Sequence, residues 1–110
     1  MGYIALFQRE LFLTMRVNIL QSKISAISQQ RLDLTETITQ FTTQISDIAD
    51  NDSPTVKKLK ARMAELENLD KQLEMRMKKF QTQLEAASTE LTTASQAKSQ
   101  LIQNSAPKYA

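Results

Sequence analysis

Apolar side chains recur along the chain at alternating intervals of three and four residues, in two long runs that flank a polar segment at 47–54. The spacing persists for about six heptads in each run, which is typical of a left-handed coiled-coil seam. It predicts one helix over about 3–49 and a second over about 54–103. The seam positions of the first run are Tyr3, Leu6, Glu10, Leu13, Val17, Leu20, Ile24, Ile27, Arg31, Leu34, Ile38, Phe41, Ile45 and Ile48. Those of the second run are Val56, Leu59, Met63, Leu66, Asp70, Leu73, Met77, Phe80, Leu84, Ala87, Leu91, Ala94, Lys98 and Leu101.

The polar segment 47–54 carries the residue types of a helix end followed by a helix start. Asn51 tolerates the left-handed backbone conformation that often follows a helix C-terminus, so the first helix is expected to end just before it. Ser53 suits an N-cap, and Pro54 suits the first helical position, where its missing N–H is not needed. We therefore predict a turn at 50–53, shaped by these three residues.

The two runs match each other as the arms of an antiparallel hairpin. The residue numbers at one level have a constant sum, as for Ile48 with Val56 and Phe41 with Met63. The sequence thus predicts an all-α fold in which the whole chain forms one antiparallel two-helix coiled-coil hairpin, a rod. A dimer of straight chains, in which 51–54 is only a kink, remains the alternative.

Four charged residues interrupt the two seams. Arg31 lies one layer from Asp70, and Glu10 lies one layer from Lys98, so each charge has an opposite charge within reach across the hairpin. A slipped register would leave these charges unpaired, and the four residues are therefore predicted to set the register. Alternatively, their long side chains extend out of the seam into solvent.

The N-terminal segment carries more apolar residues than the seam requires. A second apolar face is predicted from Ile4, Phe7, Leu11, Phe12, Met15 and Ile19. Left in solvent, it would form an unusually large hydrophobic patch, which is typical of an interaction surface. We predict that it mediates self-association, with a different protein as the second possibility and a membrane surface as the third. In that third case Arg9 and Arg16 would lie near the lipid headgroups.

The residues outside the seam differ between the two ends of the hairpin. Uncharged polar residues dominate 21–46, alternating charges dominate 57–79, and small residues dominate 86–99. Small or uncharged flanks are easier to bury against another helix, so the end that holds the chain termini is expected to be packed and the turn end to be solvated. Residues 104–110, which include Pro107, are expected to form a flexible tail.

Composition excludes several classes of function. The net charge of +2 is small for 110 residues, so we expect no nucleic-acid partner. With no His, no Cys and one Gly, the chain lacks the residues of most general bases, thiol nucleophiles, zinc sites and phosphate-binding loops. We therefore expect no enzymatic activity, no cofactor and no metal. Charges at Arg9, Glu10 and Arg16 break up the N-terminal apolar segment, so neither a signal peptide nor a transmembrane span is expected. The compartment stays undefined.

Two helices joined by a short polar turn that contains Pro54 give this chain a recognisable outline. In architecture it resembles the small hairpin subunits of bacterial secretion needles. The resemblance implies assembly into a filament and implies no role for an individual residue. Together with the second apolar face, it favours a non-enzymatic structural protein that self-associates into an oligomer or filament. The alternatives are an adaptor or chaperone-like hairpin that binds a different protein, and a peripheral membrane protein.

Overall fold

The computed structural model describes the backbone of residues 2–105 and all side chains in that range except those of Tyr3 and Ser105. Two helices account for this range apart from the turn: α1 comprises Gly2–Asp47, and α2 comprises Pro54–Ser105. The predicted all-α, antiparallel two-helix hairpin is confirmed. The alternative of an opened-out chain with a kink at 51–54 is wrong.

The predicted seam is the part of the chain that becomes buried. Every seam position whose side chain is described is buried or half-buried, including the four charged ones. The fully buried apolar residues all belong to the predicted seam: Leu13, Leu20, Ile27, Val56, Leu66, Leu73, Ala87 and Ala94. Alternating steps of three and four residues keep one stripe of each helix facing the other helix, so burial follows this period.

The described residues fall into two compact units, and each contains a stretch of both helices. The turn unit comprises Ile24–Lys79, and the terminal unit comprises Met1–Lys23 with Phe80–Ala110. In the turn unit, Thr42 Oγ1, which donates to the Ile38 carbonyl, lies 3.5 Å from Met63 Sδ, and Ser28 Oγ donates to Met77 Sδ at 3.4 Å. From the first contact to the second, the residue number falls on α1 and rises on α2, as an antiparallel arrangement requires.

In the terminal unit, the fully buried seam residues are leucines on α1 and alanines on α2. Leu13 and Leu20 of α1 are 2% and 3% exposed, and Ala87 and Ala94 of α2 are 4% and 7% exposed. Alanines at seam positions leave room for the leucines and let the two backbones approach closely. Small residues also lie beside the α2 seam in this unit.

The turn differs from its prediction in both length and conformation. Helix α1 ends at Asp47, so the turn covers 48–53 and not 50–53. The Ile48 amide donates to the Ile45 carbonyl at 3.2 Å, which closes the last helical turn with a tighter bond. No residue of the described chain other than glycine has a positive φ, so the proposed left-handed conformation of Asn51 is wrong.

Asp50, and not Asn51 as predicted, accepts the hydrogen bonds that shape the turn. Its Oδ1 accepts a hydrogen bond from the Asp52 amide at 3.0 Å, and its carbonyl accepts one from the Ser53 amide at 3.2 Å. An Asx turn and a β-turn thus begin at the same residue, and they reverse the chain without a left-handed residue. Ser53 Oγ then accepts from the Val56 amide at 3.2 Å, which is N-cap geometry, and Pro54 is the first residue of α2.

At its other end, α2 extends to Ser105, two residues beyond the expected 103. A shift of this size is common at helix ends. The predicted flexible tail at 104–110 therefore begins with two helical residues, and its remainder, 106–110, lies outside the described residues.

Candidate interaction surface

The N-terminal apolar residues form an exposed face on α1 in the terminal unit. We call this set the α1 face; its members, with their exposed fractions, are Ile4 (55%), Phe7 (51%), Leu11 (56%), Phe12 (56%), Met15 (56%) and Ile19 (53%). Since successive residues of a helix are rotated by about 100°, most of these side chains lie on the side of α1 opposite Leu13 and Leu20. Helix α1 is thus apolar on two sides, of which its partner helix covers one.

Basic side chains border the α1 face. Arg9 and Arg16 are both exposed, and Arg9 Nη2 pairs with Glu90 Oε2 of α2. Farther along α1, Lys23 Nζ lies 5.2 Å from the centroid of the Phe80 ring, within the range of a cation–π contact. All exposed charges that α1 contributes to the described terminal unit are therefore positive.

The two grooves that run beside the seam of the terminal unit were not predicted. One lies between Phe12 and Arg16 of α1 and Ala86 of α2, and the other lies between Leu6 of α1 and Ala97 of α2. The α2 residues on one flank of the seam each line one groove or the other, and Glu90 lines both. We call them the α2 flank: Gln83, Ala86, Glu90, Thr93 and Ala97. These residues recur at intervals of three and four and so form a second heptad stripe on α2. This spacing is the sequence pattern from which the α2 flank could have been predicted.

The hydroxyl groups on this part of α2 are already hydrogen-bonded within the helix. Thr89 Oγ1 donates to the Glu85 carbonyl at 3.0 Å, and Thr93 Oγ1 donates to the Thr89 carbonyl at 3.1 Å. A threonine bonded to the carbonyl four residues earlier has no unsatisfied donor to lose when water is removed. A partner could therefore cover Thr89 and Thr93 without leaving their hydroxyl donors unpaired.

The two predicted pairs of seam charges are each brought together, one in each unit. In the turn unit, Arg31 Nε donates to Asp70 Oδ1 at 2.9 Å and Arg31 Nη2 donates to Asp70 Oδ2 at 3.4 Å, while Glu74 Oε2 lies 3.8 Å from Nη2. The hydrogen bond to Asp70 raises the pKa of Arg31 above its ordinary value; burial opposes this, and the charges of Asp70 and Glu74 add to it. A raised arginine pKa means that these contacts favour the charged guanidinium, and this contribution to stability is lost only as the pH rises through that pKa.

The pair in the terminal unit has a different geometry. Lys98 Nζ lies 2.8 Å from Glu10 Oε2, with side chains 21% and 25% exposed respectively. Nevertheless that oxygen, which is buried, accepts no well-directed hydrogen bond from any described residue. Lys98 Nζ also lies 5.6 Å from the centroid of the Phe7 ring, so Lys98 contacts both a seam residue and a residue of the α1 face. The sequence predicted the ion pair and missed this aromatic contact.

The turn unit exposes fewer large apolar side chains, and they are scattered. Leu32, Leu69 and Met75 are 64%, 43% and 66% exposed.

Residues 2–105 contain no group of acidic, His or Cys side chains that could hold a metal ion. Neither helix, over its described length, has a stretch long and apolar enough to cross a membrane. Comparison with protein-family models, curated proteins and solved structures finds no match for this chain.

Proposed function

We propose that this chain is a non-enzymatic structural protein that self-associates through the α1 face into an oligomer or filament. The observation that supports this proposal is the clustering of six large apolar side chains, each more than half exposed, within the first twenty residues. Scattered exposed apolar residues are normal on soluble proteins, but a contiguous patch of this kind marks an interaction surface. The threonines on α2 whose hydroxyls are hydrogen-bonded within the helix add a neighbouring surface that can be buried.

The size of the α1 face is consistent with an assembly contact. Six such side chains, each slightly more than half exposed, leave on the order of 500 Å² of apolar surface in water. Removing this area from water would contribute about 12 kcal/mol, which is comparable to the roughly 4–15 kcal/mol lost when two copies become one body. The α1 face alone is therefore marginal, and a stable contact requires that the opposing surface also bury apolar atoms.

The test is the mass of the purified protein and of two matched variants, measured by light scattering with negative-stain microscopy over a range of concentrations. The wild-type chain is expected to form a defined oligomer or a filament. The double variant Phe7→Ser/Phe12→Ser removes two rings from the α1 face and is expected to weaken assembly by about 1,000-fold. The control, Leu32→Ser/Met75→Ser, removes two apolar side chains from the turn unit that are more exposed than Phe7 and Phe12, and it should assemble like the wild type.

Other outcomes would contradict the proposal. A wild-type chain that stays at 12.5 kDa at all concentrations would show that the α1 face does not mediate self-association. If that monomer co-sediments with anionic vesicles, the α1 face binds a membrane surface, with Arg9 and Arg16 at the headgroups. If wild-type and Phe7→Ser/Phe12→Ser chains have the same mass and only the former retains a bound protein, the hairpin is an adaptor.

A further inference from the structure

The methionines of the described chain lie in two kinds of environment. Met63 and Met77 are half-buried seam residues of the turn unit, and Met77 Sδ accepts a hydrogen bond from Ser28 Oγ at 3.4 Å. Met15 and Met75 are 56% and 66% exposed. Because an oxidant must reach the sulfur atom, exposed thioethers are oxidised before buried ones. A hydroperoxide in solution is therefore expected to react with Met15 and Met75 first.

Of these two exposed methionines, Met15 belongs to the α1 face and Met75 does not. Leu11 and Ile19 lie one helical turn before and one turn after Met15, on the same side of α1. Met15 is therefore surrounded by other members of the α1 face. Met75 lies on α2 in the turn unit, and the residues four before it and four after it are both lysines. The chain thus carries one exposed methionine inside the apolar face and one outside it.

Oxidation changes a thioether from an apolar group to a polar one. The Met15 Sδ lone pair attacks the outer oxygen of a hydroperoxide, so that an S–O bond forms and the O–O bond breaks. The hydroxyl proton moves to the departing oxygen, which leaves as an alcohol, or as water when the oxidant is hydrogen peroxide. The sulfur loses two electrons, and the peroxide gains them. The product is a sulfoxide, whose oxygen is a hydrogen-bond acceptor that the thioether lacked.

A sulfoxide at Met15 opposes burial of the α1 face. In a free copy, water donates hydrogen bonds to the new oxygen. When another surface covers the face, the oxygen loses this water, and Leu11, Phe12 and Ile19 have no donor to replace it. A polar group buried without a partner disfavours a contact. Because the α1 face alone is marginal for assembly, a loss at one of its six members is enough to shift the equilibrium toward free copies.

We propose that Met15 is an oxidation site that controls self-association: a hydroperoxide converts Met15 of a free copy to the sulfoxide, and the oxidised copy assembles less well. The inference rests on the proposed function, and it adds a means of regulation at the same surface. The reaction requires exposure of Met15 only in the free copy, where the structure shows it. Enzymes that reduce methionine sulfoxide restore the thioether, with a dithiol as reductant and water as the second product, so the control is reversible.

The experiment compares the wild-type chain with Met15→Leu and Met75→Leu, before and after treatment with hydrogen peroxide. Leucine keeps each position apolar and forms no sulfoxide, and every other methionine remains in place. Peptide mass spectrometry gives the oxidised fraction at each methionine, and light scattering gives the extent of assembly. Peroxide should raise the concentration needed for assembly by at least about 10-fold for the wild type and for Met75→Leu, and should leave Met15→Leu unchanged.

Two further measurements separate the sulfoxide from other damage. Met15→Gln places a polar group of similar length in the α1 face and should weaken assembly without peroxide, at unchanged helical content by circular dichroism. Reduction of the oxidised wild-type chain by methionine sulfoxide reductases and a dithiol should restore assembly. In addition, Met15 should be oxidised more slowly than Met75 at concentrations where the chain assembles, and at a similar rate where it does not.

Three results would overturn the inference. The first is that peroxide disperses Met15→Leu as it does the wild type, and the second is that chains with the Met15 sulfoxide assemble normally. The third is that Met15 and Met75 are oxidised at equal rates at every concentration of an assembling chain. If any of these occurs while Phe7→Ser/Phe12→Ser still weakens assembly, the proposed function stands and only the oxidation site fails. A wild-type chain that never assembles would remove both.

Discussion

The terminal unit and the turn unit share one seam pattern but differ in what surrounds it. In the turn unit, exposed charges form ion pairs along α2, such as Arg62 with Glu65 and Lys78 with Glu74. In the terminal unit, the corresponding surface is apolar on α1 and carries few charges on α2. The seam therefore accounts for the hairpin in both units, whereas the proposal that the terminal unit binds a partner rests on the surface outside the seam.

The units also differ in how each accommodates a charged seam layer. Asp70 and Glu74 surround Arg31 in the turn unit, and two of the contacts are directed hydrogen bonds. In the terminal unit, Lys98 and Glu10 are close but not well aligned. A half-buried pair stabilises a fold only when hydrogen bonds offset the loss of water. A charged layer in the seam thus stabilises the turn unit more than the terminal unit.

The largest expected effect tests the distinction between seam and surface inside α1. Leu13→Ala should lower the free energy of unfolding by about 3 kcal/mol, because Leu13 is 2% exposed and its truncation leaves a cavity. Leu11→Ala, at 56% exposure, should change the stability of a single copy by less than about 0.5 kcal/mol and instead weaken assembly. Urea denaturation at low protein concentration measures the first quantity, and light scattering measures the second. Equal losses of stability would mean that the α1 face is not a separate surface.

A smaller effect separates the two charged seam layers. Replacing the terminal pair by Glu10→Leu/Lys98→Met should leave stability equal or raise it, because a poorly aligned pair is exchanged for apolar packing. The matched replacement Arg31→Met/Asp70→Leu should lower stability, since it removes two hydrogen bonds and leaves Glu74 without its arginine. The midpoints of thermal unfolding compare these two variants with the wild type. The contrast between the layers is refuted if both replacements shift the midpoint in the same direction.

The single replacement Lys98→Met is the internal control for the terminal layer. It should reduce stability by roughly 1–2 kcal/mol, less than for a fully buried pair because both side chains are about a quarter exposed. If the single variant is as stable as the double variant, then Glu10 is fully hydrated without Lys98. In that case the terminal layer contributes nothing to the choice of register.

The seam was predictable because it depends only on the period of the sequence. Every described seam position became at least half-buried, and the opposite charges met, since a rigid helix repeats the same geometry for many turns. The surface beside the seam was less predictable. The grooves depend on how the flank of α2 lies next to Phe12 and Arg16, and the hydrogen bonds of the threonine hydroxyls within their own helix depend on side-chain rotamers. Neither follows from spacing alone.

The turn was the part of the fold that the sequence predicted least well. Both Asp50 and Asn51 are residues that can shape a turn, and propensity favoured Asn51 as a left-handed residue. The choice between them depends on where α1 ends, and that end lies at Asp47, early enough for the Asp50 carboxylate to reach the Asp52 amide. Because α1 ends two residues earlier than predicted, the side chain of Asp50 shapes the turn instead of that of Asn51.

The smallest expected effect tests this corrected turn. If Asn51 had a left-handed backbone, Asn51→Gly would relieve strain and stabilise the hairpin. Because no described residue other than glycine has a positive φ, the glycine should instead lower stability by about 0.5 kcal/mol, through the extra freedom of the unfolded chain. Ser53→Ala, which removes an observed cap, should lower it by about 1 kcal/mol and shows that the measurement can resolve such changes. Urea denaturation of the three chains side by side gives both differences. A gain in stability for Asn51→Gly would restore the left-handed turn, whereas a small loss places the reversal at Asp50, where the hydrogen bonds are.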